Sequence, residues 1–327
     1  MTRYQPKDSS KSPRFCGNRT FMRLPEIRTL EDVDFVVTGV PFDTGASFRS
    51  GARFGPQAVR ETSILLRPYN YEQEINIFEH ISGVDYGDIE IIPGYIHETY
   101  ARMVEQLTPI YKAGVIPICI GGDHSISLGE LRAIKEAIGP VALIHFDSHT
   151  DTWDNYWGMK YTHGTPFRRA FEEGCLIPEK TIQIGMRGPL YQPSDINDSR
   201  DMGFELLTAG DVHRKGIDYV VKRIQERVGN TPAFVSFDID FLDPSCAPGT
   251  GTPEIGGFST WEALELLRKG LKGLNIKGYD LVEVLPACDH GDITSFAAAG
   301  IIYEFITHIA LSKKKINANA INTNAGG

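Results

Sequence analysis

Three short segments of the chain carry carboxylates and imidazoles at spacings suited to metal ligation: Gly121-Gly122-Asp123-His124, Asp147-Ser148-His149-Thr150-Asp151 and Asp238-Ile239-Asp240. Residues two apart on an extended backbone point to one side, so Asp147, His149 and Asp151 can face a common site while Ser148 and Thr150 turn away. Full extension would hold the backbones of Asp147 and Asp151 roughly 13 Å apart. A pair of metal ions is only about 3.5–4 Å across, so the chain has to curl there. Asp147, Asp151, Asp238 and Asp240 gathered in one place cannot all stay ionised without cations, and two divalent ions would cancel their charge. An oxygen-rich set with a minority of imidazole suits Mn²⁺ and is also compatible with Zn²⁺, Ni²⁺ or Fe²⁺. Turn or capping roles serve Asp123 and Asp243 at lower cost. His145 stands two residues before Asp147 as a neighbour of the site and is not taken as a ligand. Gly121-Gly122 lacks the lysine of a phosphate loop and the Rossmann spacing, and reads as a close turn.

Each of the three segments directly follows a run of β-branched and apolar residues. Such runs occupy Asp34–Val40, Ile116–Ile120, Val141–Phe146, Thr181–Ile184, Ala233–Phe237 and Tyr279–Val284. Their nearly continuous apolarity predicts strands of a parallel sheet covered on both faces. Helices are signalled between them at Gly55–Leu66, Ile96–Ala113, Leu128–Ile138, Ile217–Val228, Ser259–Leu271 and Phe296–Ser312, with Ser259 and Glu262 at capping-box spacing. The carboxyl ends of parallel strands lie along one edge, where segments distant in sequence converge on a ligand.

Net charge of −9, from 33 Lys and Arg against 42 Asp and Glu, argues against a general nucleic-acid or anionic-membrane binder. A polar start and 41% hydrophobic residues predict a soluble, cytoplasmic protein without signal or membrane span. The five cysteines show no C-x-x-C pair and read as reduced thiols. Residues 1–33 have no clean period and are expected to form an extended arm at a subunit contact. Residues 34–312 form the catalytic domain. The lysine-, asparagine- and alanine-rich residues 313–327 are expected to be a disordered tail.

Together GGDHS, D-x-H-x-D, HGTPF, SFDIDFLDP and VEVLP resemble, in order, the motifs of the ureohydrolase family, which contains arginases, agmatinases and guanidinobutyrases. The resemblance covers residues 34 to 310. It implies a three-layer α/β/α fold, a binuclear manganese centre with two Mn²⁺ per chain, and a trimeric or hexameric homo-oligomer. It puts His124, Asp147, Asp151 and Asp238 on one metal and Asp147, His149, Asp238 and Asp240 on the other, with Asp147 and Asp238 bridging. His163, in HGTPF, matches the histidine assigned to proton transfer, Glu283 matches the acid that holds the guanidinium group, and Asp151 assists proton movement. Ser148 departs from the alanine common there and is expected to reach a ligand by a hydrogen bond.

The implied reaction cleaves a small guanidino substrate to urea and an amine. Agmatine, giving putrescine in polyamine metabolism, is the first choice; guanidinobutyrate or another ω-guanidino acid is the alternative. The aromatic segment around Trp153, Tyr156 and Trp157 is expected to flank the cleft, Asp154 to attract an amine, and Arg49 or Arg168 to bind a carboxylate. A non-catalytic scaffold, which tends to erode such a ligand set, and a one-zinc deacetylase-like enzyme, which needs no second-metal set, are the competing classes.

Overall fold

The computed structural model describes residues 3–325, with side chains through residue 318. Eight strands form one sheet: β1 (Phe35–Val40), β4 (Gly83–Asp88), β5 (Ile116–Gly121), β6 (Ala142–Phe146), β7 (Ile182–Met186), β8 (Glu205–Thr208), β9 (Ala233–Asp238) and β10 (Ile276–Val282). The order is β4-β1-β5-β10-β9-β6-β7-β8, and every pairing is parallel. Tyr69–Asn70 (β2) and Ile75–Asn76 (β3) make a separate short hairpin.

Helices cover both faces, because the sheet is apolar on both. On one face Val37, Ile120, Ile144, Val235 and Leu281 pack with Val59 of α1 (Gly55–Ser63), Ile224 of α7 (Ile217–Val228), Leu266 of α8 (Thr260–Gly270) and Phe305 of α9 (Ile293–Ala325). On the other, Val36, Leu143, Phe234 and Val282 meet Met103 and Leu107 of α2 (Ile96–Lys112), Leu131 of α3 (Ile126–Ile138) and Phe167 of α4 (Pro166–Glu172). Each such side chain, fully buried, contributes about 1.5–3 kcal/mol. The expected three-layer α/β/α architecture is the observed one. Two small helices, α5 (Ser194–Asp201) and α6 (Ala209–Lys215), complete the β7–β8 side. Ser259 and Glu262 form the reciprocal capping box that starts α8.

Four differences from the sequence reading have local causes. Edge strands β4 and β8 escape it, since β4 (GVDYGD) mixes glycine and aspartate with its apolar residues and β8 has four residues. Strand β10 ends at Val282 rather than 284, because Glu283 adopts φ +64°, a conformation that ends the ladder. The arm is docked on its own chain: Phe21, Met22 and Leu24 are buried, Phe21 N–H donates to Asp85 at 2.8 Å and Met22 N–H to Ser63 at 2.8 Å. A few anchors of this kind leave no period to read.

The fourth difference is α9, which continues through Ala325 with residues 313–318 exposed, where a disordered tail was expected. Propagating an established helix costs far less than nucleating one, and lysine, alanine and isoleucine accept it. Residues 1–2 of the arm and 326–327 of the tail lie outside the described residues. Over Ile293–Ala318 this helix is long and apolar enough to cross a membrane, but 72% of its most apolar window is buried within the chain. It is a core helix here.

His308 on α9 makes that packing sensitive to acid. Its Nδ1 meets the Tyr279 hydroxyl at 2.6 Å, and burial lowers its pKa to about 4, the Leu271 carbonyl offsetting part of the effect. An unfolded chain therefore takes up a proton at this residue between pH 6.5 and 4 that the folded chain refuses, so folded stability falls as pH drops through that window. Thermal melts should show the wild type losing more stability than His308→Gln across this range. Parallel curves for the two proteins would contradict the assignment.

Candidate metal centre and substrate cleft

The carboxyl ends of the four middle strands β5, β10, β9 and β6 deliver His124, Glu283, Asp238 and Asp147 to one edge of the sheet. His124 Nδ1 lies 3.0 Å from Asp147 Oδ2, 2.9 Å from Asp151 Oδ2 and 3.1 Å from Asp238 Oδ2. Ligands about 2.1 Å from one ion at right angles are about 3 Å apart, the separation seen here. A second group adjoins the first: His149 Nδ1 is 3.2 Å from Asp240 Oδ2 and 3.5 Å from Asp147 Oδ1. Asp147 thus gives one oxygen to each group. Asp238 gives Oδ2 to the first, while its Oδ1 accepts from Asp240 N–H at 2.8 Å.

These groups fit cations better than they fit one another. His124 Nδ1 and Asp240 Oδ2 are buried without a hydrogen-bond partner among the described residues. Burial raises the Asp238 carboxyl well above its usual range, and the neighbouring Asp240 and Asp147 charges raise it further. Asp240 is pushed up by burial and by Asp147. Two divalent ions would meet the unpartnered atoms and relieve the crowding.

Local backbone explains the convergence. The chain bends at Ser148 and His149, and Asp151 has φ +50°, which together bring the Asp151 carboxylate back to His124. Aspartate is among the residues that tolerate this conformation. Ser148, expected to point away, donates its hydroxyl to Asp240 Oδ1 at 2.7 Å and so supports a ligand. Among the described residues the guanidinium of Arg187 donates to the carbonyls of Gly185, Asp240, Phe241, Leu242 and Glu254, binding the Asp240 turn to the cleft wall.

Glu283 and His163 form a second, adjoining unit. Glu283 Oε1 accepts from His124 N–H at 3.0 Å and meets His163 Nδ1 at 2.9 Å. Its Oε2 faces Gly251, where a Cβ would come within 3.4 Å. His163 Nε2 meets Ser47 N–H at 3.0 Å and the Ser47 hydroxyl at 2.7 Å, a donor and a group that can accept. The ring is therefore supported both neutral, with its proton on Nδ1, and protonated. Burial lowers its pKa, but the hydrogen bond and charge of Glu283, with Asp151 and Asp123, raise it to about 9. The loop at residues 45–47 was not read as part of the site. Asp123 anchors it by accepting Gly45 N–H at 2.7 Å, which is the turn role foreseen for that aspartate.

Above these groups opens a cleft of about 340 Å³ whose lining includes Arg49, Trp153, Tyr156, His163 and Glu254. Trp153 and Tyr156 pack edge to face at 4.5 Å over Gly164, where a Cβ would lie 2.6 Å from the Tyr156 ring. Trp157 is 75% exposed and outside the lining. Asp154 and Arg168, offered as substrate anchors by the sequence, are otherwise engaged: Asp154 pairs with Arg169 at 2.7 Å, and Arg168 with Asp198 and the Thr152 carbonyl. Arg49 lines the cleft over the Phe48 ring, with no ion pair or hydrogen bond among the described residues.

The model of the Arginase family matches residues 33–308. The chain belongs to the arginase family. Among ureohydrolases it is similar to a guanidinobutyrase of Pseudomonas aeruginosa, 42% identical over 306 residues that cover 93% of this chain and 96% of the relative. It also resembles an agmatinase of Neisseria meningitidis, 42% identical over 294 residues, 89% of this chain and 92% of the relative. The solved proclavaminate amidinohydrolase of Streptomyces clavuligerus superposes with a TM-score of 0.88 at 40% identity, covering 92% of this chain and 100% of that one. This ureohydrolase is thus an amidinohydrolase that cleaves C–N bonds of guanidino compounds, in a family that depends on two metal ions. The scaffold and one-zinc alternatives fall with that membership.

Proposed function

We propose that this ureohydrolase acts on a guanidino compound with a carboxylate at its far end, guanidinobutyrate above all, releasing urea and an amino acid. The observation that carries this reading is Arg49, an arginine of the cleft lining with no anionic partner among the described residues. A substrate carboxylate would complete it with a charge-assisted hydrogen bond. Agmatine, cleaved to putrescine, is the second reading, favoured by Glu254 on the cleft lining, whose carboxylate could take up an amine.

The cofactor reading is two Mn²⁺, supported by the oxygen-rich donors. His124, Asp147, Asp151 and Asp238 would hold one ion and Asp147, His149, Asp238 and Asp240 the other. When bound, the pair supplies the Lewis acidity that makes water a nucleophile near neutral pH. The remaining steps belong to the chain. Glu283 Oε2 would accept from the planar guanidinium while Oε1 stays fixed by His124 N–H, so that the cation is oriented rather than merely attracted. Trp153 and Tyr156 exclude water beside it. His163, held by Glu283 and Ser47 in a setting that supports both its neutral and protonated forms, would supply the proton that the departing amine needs.

A homo-oligomer, trimer or hexamer, in the cytoplasm completes the proposal. The exposed rings of Phe48, Trp157 and Tyr191 near the cleft support self-association, and five unpaired cysteines support a reducing compartment.

Urea release from guanidinobutyrate, guanidinopropionate, agmatine, arginine and guanidine, with Mn²⁺ and Ni²⁺ compared, tests the substrate. The highest kcat/KM is expected with guanidinobutyrate. Arg49→Ala should raise KM for that substrate about 10–100-fold, the value of a hydrogen bond to a charged group, and leave agmatine hydrolysis unchanged. Urea from none of the five would refute the proposed function, and an equal effect of Arg49→Ala on agmatine would remove Arg49 from it.

A further inference from the structure

Buried in the largely apolar sheet are Cys119 and four polar side chains, Asp280, Ser236, His145 and Gln183, which the register aligns. Cys119 pairs with Asp280, Asp280 with Ser236, Ser236 with His145, and His145 with Gln183. In-register neighbours share a face, so five strands present one polar row toward α2, α3 and α4. The rows before and after it, Ile118-Tyr279-Val235-Ile144-Ile182 and Ile120-Leu281-Phe237-Phe146-Ile184, are apolar. All five members of the polar row are fully buried. Polar groups in mid-sheet are costly unless each is bonded to something that needs it.

What needs them is the row above. Ser236 and His145 stand two residues before Asp238 and Asp147, on the same side of their strands. Asp280 accepts from the Ser127 hydroxyl at 2.5 Å and from Phe237 N–H at 3.2 Å, and Ser236 is its register neighbour on the next strand. With its proton turned to the neighbouring Asp280 carboxylate, Ser236 Oγ would accept from His124 Nε2, 2.9 Å away. That puts the His124 proton on Nε2 and leaves Nδ1 bare toward Asp147, Asp151 and Asp238. From the other end, Gln183 Nε2 donates to His145 Nδ1 at 3.0 Å and to the Thr150 carbonyl at 2.7 Å. His145 must then carry its proton on Nε2, which it gives to Asp147 Oδ2 at 2.8 Å. His145 is therefore a donor to a ligand rather than a ligand itself.

We propose that Asp280 with Ser236, and Gln183 with His145, are positioning residues that set which imidazole nitrogen of His124 and which orientation of Asp147 are offered to the metal pair. The inference rests on the metal-centre reading above. None of the four lines the cleft. Cys119 belongs to the same row without touching a ligand, so it separates polarity from packing.

Mn²⁺ titration of the full-length protein against a fluorescent chelator tests this, with wild type, Ser236→Ala, Asp280→Asn and Cys119→Ser in parallel. The wild type should bind two ions per chain. Ser236→Ala and Asp280→Asn should each weaken one site about 10–100-fold, the usual effect of losing such a support, and Cys119→Ser should match the wild type. If Asp280→Asn does not fold, Ser236→Ala, which deletes a single oxygen, carries the test. Two sites of wild-type affinity in Ser236→Ala would overturn the proposal, and so would an equal loss in Cys119→Ser. A wild type binding fewer than two ions would overturn the metal-centre reading beneath it.

Discussion

Asp147→Asn is expected to strip both metal ions from the chain and to lower turnover by about 1,000-fold or more. Asp147 is the side chain with an oxygen in each histidine group, Oδ2 beside His124 and Oδ1 beside His149. The amide keeps the shape, loses the charge, and turns a donor toward groups that need an acceptor. A metal's stabilisation of developing charge is worth several kcal/mol, and about 4 kcal/mol is 1,000-fold in rate. Elemental analysis of freshly purified protein and a urea assay read the two effects together. Two ions per chain with turnover within tenfold of wild type would contradict the shared role.

His163→Asn should separate chemistry from metal binding. No oxygen or nitrogen of His163 belongs to either histidine–aspartate group, so two ions should remain. Positioned proton transfer contributes about 10²–10⁴-fold, and kcat should fall by that amount. Unchanged kcat would remove His163 from proton delivery. Metal-stripped protein gives a second readout. Because the folded pKa of His163 is raised, to about 9 from 6.5, the stability it adds is fully present below pH 6.5 and is lost as pH rises through 9. The gap in melting temperature between wild type and His163→Asn should therefore close over that interval.

The clustered histidines and aspartates were legible because chemistry and geometry agree there. Asp147, His149 and Asp151 alternate in sequence, and each acidic motif follows an apolar strand. What sequence spacing could not reveal was support. His145, Ser236, Asp280 and Gln183 are polar residues set within largely apolar strands, a visible signal, but their alignment depends on strand order, which no local pattern encodes. The His163 partner loop was hidden for a similar reason, since Ser47 lies 116 residues away. Substrate anchors were misjudged in the other direction. Asp154 and Arg168 are charged residues of the right kind in the right region, and only the folded chain shows that Arg169 and Asp198 already engage them.

Strand order has one more consequence, for the timing of assembly. Strand β10 is the last of the eight to be synthesised, yet it lies in the middle of the sheet, between β5 and β9. Until residue 282 is available, the two halves of the sheet have no shared edge, and Glu283 cannot reach His124. Contacts that span so much sequence make for slow, all-or-none closure. The cluster of His124 on one side with Asp147 and Asp238 on the other therefore closes only around β10, the strand that joins the two halves.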